Sequence, residues 1–314
     1  MPNAAPPGPR LLLDCDPGHD DALALLLAAR HSDLLGVTTV SGNAPLAATT
    51  RNSLLTLQLA GLDVPVHAGA ARPLVAEAKH APDIHGESGL GGPVLPELTR
   101  EAAGHDAVRF IIDTVRGLDN VWLVAVGPLT NVALALRAAP DIAGRLAGIS
   151  IMGGSATFGN RTATAEFNLW ADPEAAQVVF GSGVRLIMCG LNVTHQFMVH
   201  GADVARIRAL DNPVAAFAAE LLEFHGQAYA DTFFGRAEGP LHDPCAVLAV
   251  THPHLLRTEP RHVEVELRGE HTRGMTVVDE RGVRSKAVPN VEVAYRLARE
   301  GALSVLLETL ASYG

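Results

Sequence analysis

The sequence predicts an α/β fold, a doubly wound, open and mostly parallel sheet with helices on both faces. Three observations carry that expectation. Short, wholly apolar runs recur along the chain and alternate with Ala/Leu-rich helical stretches, the pattern of strands buried on both faces. Most of these runs are followed by Gly, Asn or Asp, so polar residues close the strands. With 314 residues, 48 % of them hydrophobic, the chain has no need of a disulfide or a metal merely to fold.

In chain order, residues 1–9 read as a Pro-rich, flexible leader. A strand over 11–13 stops abruptly at Asp14, and a helix follows over 21–30. The β-branched run 34–40 is a second strand, ending at Ser41-Gly42-Asn43 and leading into a helix over 45–60. Further strands are expected at 121–126, 149–152 and 185–189, with helices over 129–138 and 173–180. His242-Asp243-Pro244 opens a short helix over 245–250, read as an Asp cap with Pro at the first helical position. A charged, β-rich stretch at 261–288 and a closing helix over 290–311 finish the chain. Three stretches interrupt the rhythm, at 70–100, 153–171 and 224–241, and loops of that length are usually functional. No repeat or linker divides the chain, so 1–314 is expected to be one domain.

Composition excludes several classes. Lys and Arg number 24 against 34 Asp and Glu, a net charge of −10, whereas neutralising phosphates requires a basic face. Nucleic acid is therefore not an expected partner, and a bound cation is. The three cysteines show no CxxC spacing and suggest a reducing, cytoplasmic setting. The leader has no apolar core of a signal peptide, and no long apolar run suggests a membrane span.

The sharpest feature is Asp14-Cys15-Asp16-Pro17-Gly18-His19-Asp20-Asp21, four carboxylates in eight residues between a buried strand and a helix start. Asp-Pro-Gly makes a turn, and Asp20 and Asp21 complement a helix N-terminus. Those structural roles account for any one aspartate but not for all four, because like charges this close repel unless a cation or shared protons relieve them. A hard cation with oxygen ligands, Ca²⁺ or Mg²⁺, is the natural relief. Asp243 is a second acidic point, and Asn160, Glu166 and Asn168 form a polar group able to bond sugar hydroxyls.

That octapeptide resembles the DxDPGxDD signature of the nucleoside N-ribohydrolases, the inosine–uridine-preferring nucleoside hydrolase family. Later segments fit in the same order: Val40-Ser41-Gly42-Asn43, Ile84-His85-Gly86, Gly127-Pro128-Leu129-Thr130-Asn131, Met152-Gly153-Gly154, Ala165-Glu166-Phe167-Asn168 and His242-Asp243-Pro244-Cys245. The resemblance spans about residues 10–310 and implies the Rossmann-like fold of that family. It also implies one Ca²⁺ held by the carboxylates of Asp16, Asp21 and Asp243 and the carbonyl of Val126. Ribose hydroxyls and water would complete a coordination of about eight, which suits calcium better than magnesium. Asp20 and Asn43 match the residues that bind the ribose diol, and Asn160, Glu166 and Asn168 those that hold its 5′ end. Met152 and Phe167 would pack on the sugar.

The implied reaction is hydrolysis of the N-glycosidic bond of a ribonucleoside through an oxocarbenium-like transition state. By resemblance Asp16 is the base toward a Ca²⁺-bound water, and His242 protonates the departing nucleobase, an imidazole near its ordinary pKa of about 6.5 suiting that task. His85 would line the same pocket. His225 and Tyr229 lie four apart and share a helix face, so both can reach it. The nucleobase preference stays open, and a homo-oligomer, dimer or tetramer, is the family's usual state.

Two rival readings stand beside this one. Asp14-x-Asp16 after a strand also resembles the Mg²⁺-dependent haloacid-dehalogenase-type phosphatases. Those continue with Thr or Val where this chain has Gly18, and no clear downstream lysine and acidic pair follow. The other rival is a calcium-dependent nucleoside-binding protein without turnover.

Overall fold

The computed structural model describes residues 8–235, 237–282 and 286–314, so most of the expected leader lies outside the described residues. Its strands are β1 (Arg10–Cys15), β2 (Asp33–Thr39), β3 (Val66–Ala68), β4 (Val121–Ala125), β5 (Gly148–Met152) and β6 (Leu186–Cys189). They continue with β7 (Met198–Val199), β8 (Gly239–Pro240), β9 (Leu256–Arg261), β10 (Val263–Val265), β11 (Thr276–Val278) and β12 (Val291–Leu297). Helices α1 (His19–His31), α2 (Leu46–Leu59), α3 (Pro82–His85), α4 (Ala107–Gly117), α5 (Thr130–Ala138) and α6 (Phe167–Ala171) alternate with them. So do α7 (Pro173–Phe180), α8 (Leu191–Thr194), α9 (Gly201–Arg208), α10 (Pro213–Tyr229), α11 (Asp243–Thr251) and α12 (Arg299–Ala311).

The main sheet has eight strands in the order β3-β2-β1-β4-β5-β6-β12-β9. Its neighbours are parallel except for the edge pair β12 and β9, which is antiparallel. The period-two alternation of β1 divides the core. Leu11, Leu13 and Cys15 pack with α1 and α11 on one face, while Leu12 packs with α4, α5 and α7 on the other. Each fully buried leucine of this kind contributes roughly 2 kcal/mol. The chain leaves β1 outward to β3 and returns to β4 on its other side. That reversal opens a crevice beyond the carboxyl ends of β1 and β4, where ligands of open α/β sheets bind.

Three expectations are corrected. The closing helix over 290–311 is a strand, β12, followed by α12. Val291, Val293 and Leu297 are buried while Arg296 is exposed, a two-residue alternation that fills the gap between β6 and β9. The stretch 224–241 is not all loop, because α10 runs on to Tyr229 and a π-helical turn, Ala230–Phe234, extends it. Asp243 does not cap α11; it is the first residue inside the helix, His242 holds the cap position, and no side chain bonds there as a cap.

Candidate active site

The first carboxylate of the octapeptide belongs to the strand itself. Asp14 is fully buried, and its Oδ1 accepts from Thr38 Oγ1 at 2.5 Å and Asn131 Nδ2 at 2.8 Å. It joins β1 to β2 and α5, and burial raises its carboxyl to about 7. After Cys15 the chain turns through Pro17-Gly18, and Asp21 clasps that turn. Asp21 Oδ1 accepts from the Asp16 amide at 3.1 Å and Oδ2 from the Gly18 amide at 2.9 Å. Asp20 Oδ2 reaches across the chain to the backbone amides of His242 at 3.1 Å and Asp243 at 3.4 Å. Those two bonds bring the segment after residue 240 against the first helix.

Asp16 occupies the floor of the crevice. Its Oδ2 accepts from the Asn43 amide at 2.6 Å, and Oδ1 is buried without a hydrogen-bond partner. Two glycines make room for this carboxylate: a Cβ on Gly42 would lie 2.0 Å from Oδ2, and one on Gly127 2.4 Å from Oδ1. Carboxylate oxygens of Asp20, Asp21 and Asp243 lie within 4.8 Å of one another. Burial raises Asp16 and Asp243 well above the ordinary carboxylate range and Asp21 to about 6, and repulsion within the group raises each further. A partnerless buried oxygen beside three crowded carboxylates is a donor set that fits a hard divalent cation. The mutually closest trio contains Asp20, where the resemblance implied Asp16. The Val126 carbonyl accepts from Asn168 Nδ2 at 2.7 Å.

Above this floor lies a cleft open to solvent. Of the fifteen residues singled out from the sequence, thirteen line it; Asp16 and Asp21 lie beneath. Asn43, Met152 and Asp243 line it beside Asp20 and Val126. Glu166 caps α6, accepting from the amides of Asn168 at 2.8 Å, Gly154 at 2.9 Å and Leu169 at 3.2 Å. Burial raises it to about 7 despite these donors. Asn160 fastens the same turn through Oδ1, which accepts from the Phe167 amide at 2.9 Å.

The opposite wall carries imidazoles and a phenol. His242 Nε2 is 2.7 Å from Tyr229 Oη, and its Nδ1 is 2.7 Å from Thr194 Oγ1. Burial, and then His195 and His225, hold His242 well below its ordinary value, which corrects the expected near-neutral imidazole. Burial pushes the Tyr229 phenol upward. His85 Nδ1 accepts from the His19 amide at 3.3 Å, leaving Nε2–H as its donor, and burial keeps the ring neutral. His225 Nε2 bonds the Pro240 carbonyl at 3.0 Å. Trp122 and Trp170 are not among the lining residues. Sequence reasoning missed Ala81, Asp83 and Arg161 and gave Ile84 no role beyond its motif, and all four line the cavity. Asp83 and Arg161 pair at 3.5 Å, and their signal was adjacency to His85 and Asn160.

A buried acidic floor at a sheet's switch point, walled by amides and imidazoles, defines a metal-dependent hydrolase of the α/β class. The family described as inosine-uridine preferring nucleoside hydrolase matches residues 11–304, and the chain belongs to it. It is a nucleoside hydrolase, splitting ribonucleosides into ribose and free base. It is 43 % identical over 307 residues to the pyrimidine-specific ribonucleoside hydrolase RihA of Salmonella typhimurium, covering 96 % of this chain and 98 % of that one. RihA of Salmonella arizonae is 44 % identical over 308 residues, with 97 % and 99 % covered. Among solved structures, a purine-preferring ribonucleoside hydrolase from Gardnerella vaginalis superposes with a TM-score of 0.90 at 32 % identity, covering 97 % and 98 %. A plant nucleoside hydrolase gives 0.90 at 30 %, covering 98 % and 100 %. Among the described residues no helix is long and apolar enough to cross a membrane.

Proposed function

We propose that the whole chain works as one catalytic domain that hydrolyses pyrimidine ribonucleosides in preference to purine ones, with Ca²⁺ as its metal. The observation that carries the catalytic reading is the partnerless Oδ1 of Asp16 beneath a cavity lined by the polar residues of both halves of the chain. The preference rests on the pyrimidine-specific relatives, which share more of this sequence than the purine-preferring neighbour does. It also suits His85, whose Nε2–H is a donor for a carbonyl, and pyrimidines carry one next to the glycosidic nitrogen.

Asp16, Asp21, Asp243 and the Val126 carbonyl would hold the cation, with Asp20 close enough to take part. When bound, the ion supplies Lewis-acid polarisation of water and neutralises the carboxylates. Asp16 Oδ1 takes the proton from the attacking water, being the oxygen of that carboxylate no protein donor reaches. Asp20 and Asn43 bind the ribose diol. Asn160, Glu166 and Asn168 bind the 5′ end, while Met152 and Phe167 pack against the ring. The negative floor favours the positive charge that builds at C1′. His242 moves a proton toward the leaving base with Tyr229 Oη in line, and His225 packs beside that pair.

Three free, buried cysteines accord with a cytoplasmic enzyme. A homo-oligomer, dimer or tetramer, completes the reading. The test is ribose release from uridine, cytidine and inosine, with a phosphate ester alongside. Uridine or cytidine should give the highest kcat/KM by at least about tenfold, a difference of about 1.4 kcal/mol in the barrier. Faster inosine cleavage refutes the preference, and phosphate release without ribose refutes the hydrolase.

A further inference from the structure

We infer that Thr194 is a positioning residue for the reaction: its hydroxyl fixes the ring orientation and tautomer of His242, so that leaving-base protonation has a donor in place. The inference rests on the reading of His242 and Tyr229 given above. Both ring nitrogens of His242 are committed to hydroxyls, Nδ1 to Thr194 and Nε2 to Tyr229, each at 2.7 Å. A neutral imidazole needs one donor and one acceptor, so the two hydroxyls must take opposite roles toward the ring. If Thr194 Oγ1 donates to Nδ1, Nε2–H donates to Tyr229 and the phenolic proton is not taken by the ring; when it passes to the leaving base, the phenolate keeps the Nε2–H bond until solvent restores the proton. The reverse polarity commits the phenolic proton to the ring and leaves none for the substrate.

The two hydroxyls are not mounted alike. Thr194 is fully buried and ends α8, a single turn fastened to the neighbouring strand. Asn192 Nδ2 donates to the Ala294 carbonyl and Gln196 Nε2 to the Tyr295 carbonyl, both at 2.8 Å. The Leu297 amide donates back to Gln196 Oε1 at 3.2 Å. Tyr229 stands at the end of α10, where the helix widens into a π-helical turn. Thr194 therefore holds the imidazole from a turn anchored to β12, while Tyr229 meets it from the cavity wall.

The experiment compares uridine, whose base must be protonated to leave, with 4-nitrophenyl β-D-ribofuranoside, whose nitrophenolate leaves unaided. Thr194→Val removes the hydroxyl at nearly constant shape, and Thr194→Ser keeps it. Rates are taken per native protein, by size-exclusion chromatography and circular dichroism. For Thr194→Val, kcat on uridine should fall about 10–100-fold with KM little changed, while the nitrophenyl riboside loses less than about threefold. Thr194→Ser should recover most of the uridine rate. Unchanged uridine turnover in Thr194→Val, or equal losses on both substrates, overturns the inference. Thr194→Ala is the second variant; if neither it nor Thr194→Val folds, the hydroxyl is structural and the inference also fails. Wild-type protein that cleaves neither substrate instead refutes the hydrolase reading beneath it.

Discussion

Gly127→Ala isolates the geometric claim about Asp16, because it changes no charge and no hydrogen bond. A Cβ there would lie 2.4 Å from Asp16 Oδ1 and 3.0 Å from Val40 Cγ1, both closer than ordinary contact, which begins at 3.4 Å. The backbone itself accepts alanine, because Gly127 is not among the positive-φ glycines and precedes Pro128 in chain order. Something must then give by about 1 Å, and the Asp16 carboxylate cannot retreat freely, since Gly42 closes its other side. A displacement of that size at a catalytic group costs roughly 100-fold in rate. Gly117→Ala is the control, as a Cβ there meets nothing within 4 Å. The assay is kcat and KM for uridine with thermal melting of each variant. Gly127→Ala should fall about 100-fold in kcat while still melting cooperatively, and Gly117→Ala should match wild type. If Gly127→Ala keeps its rate within threefold, Asp16 does not need the position assigned to it.

Asp16→Asn keeps the shape of the side chain and removes the base, so turnover of uridine and of the nitrophenyl riboside should both fall by at least about 10²-fold. Near-normal rates on either substrate would take Asp16 out of the proton transfer. Chelation should couple stability to pH. Asp14 and Glu166 rise to about 7 and Asp21 to about 6 in the folded state, against 3.8, 4.5 and 3.8 when unperturbed. Folded values above unfolded ones mean that the stability their protons contribute is complete at low pH and is lost as pH rises through 6–7. Histidines such as His19, lowered to about 3, act in the opposite sense, chiefly below their unfolded value of 6.5 and little above about pH 7.5. Between about pH 6.5 and 8 the chelated protein should therefore lose Tm, and Ca²⁺ should raise Tm more at the higher pH. A chelated Tm that rises over that interval contradicts the assignment.

The sequence carried most of the fold, because strands buried on both faces leave unmistakable apolar runs such as 121–126 and 149–152. It failed at β12, whose charged Glu292 and Arg296 set it apart from the wholly apolar runs and whose place between β6 and β9 only the fold reveals. It failed again at 224–241, where the wide last turn of α10 has no distinct composition. The site was legible through its motifs, since carboxylates crowded into eight residues have few peaceful explanations. Thr194 was not legible. One threonine in a short apolar turn gives no signal until the fold sets it 2.7 Å from His242. Arg161 and Asp83 also needed the fold, because their pairing joins α3 to the loop before α6, 78 residues along the chain.

Burial changes what the two groups proposed to handle protons can be. In water the pair would be read as an aspartate ready to accept and a histidine near neutrality ready to donate. Here the floor raises Asp16, which strengthens it as a base but favours a bound proton unless positive charge stands beside it. The same burial lowers His242, so an imidazolium is a poor resting donor. The two shifts call for different remedies. A divalent cation would restore the ionised form of Asp16. A cation on that floor does not favour an imidazolium at the neighbouring residue. His242 is therefore served by neutral partners, the hydroxyls of Thr194 and Tyr229. With Nδ1 held by Thr194, a neutral ring can offer its Nε2–H to Tyr229 as the phenol gives up its proton, and the ring itself carries no net charge. The raised acidic floor and the neutral, hydroxyl-flanked histidine are thus two consequences of the same burial.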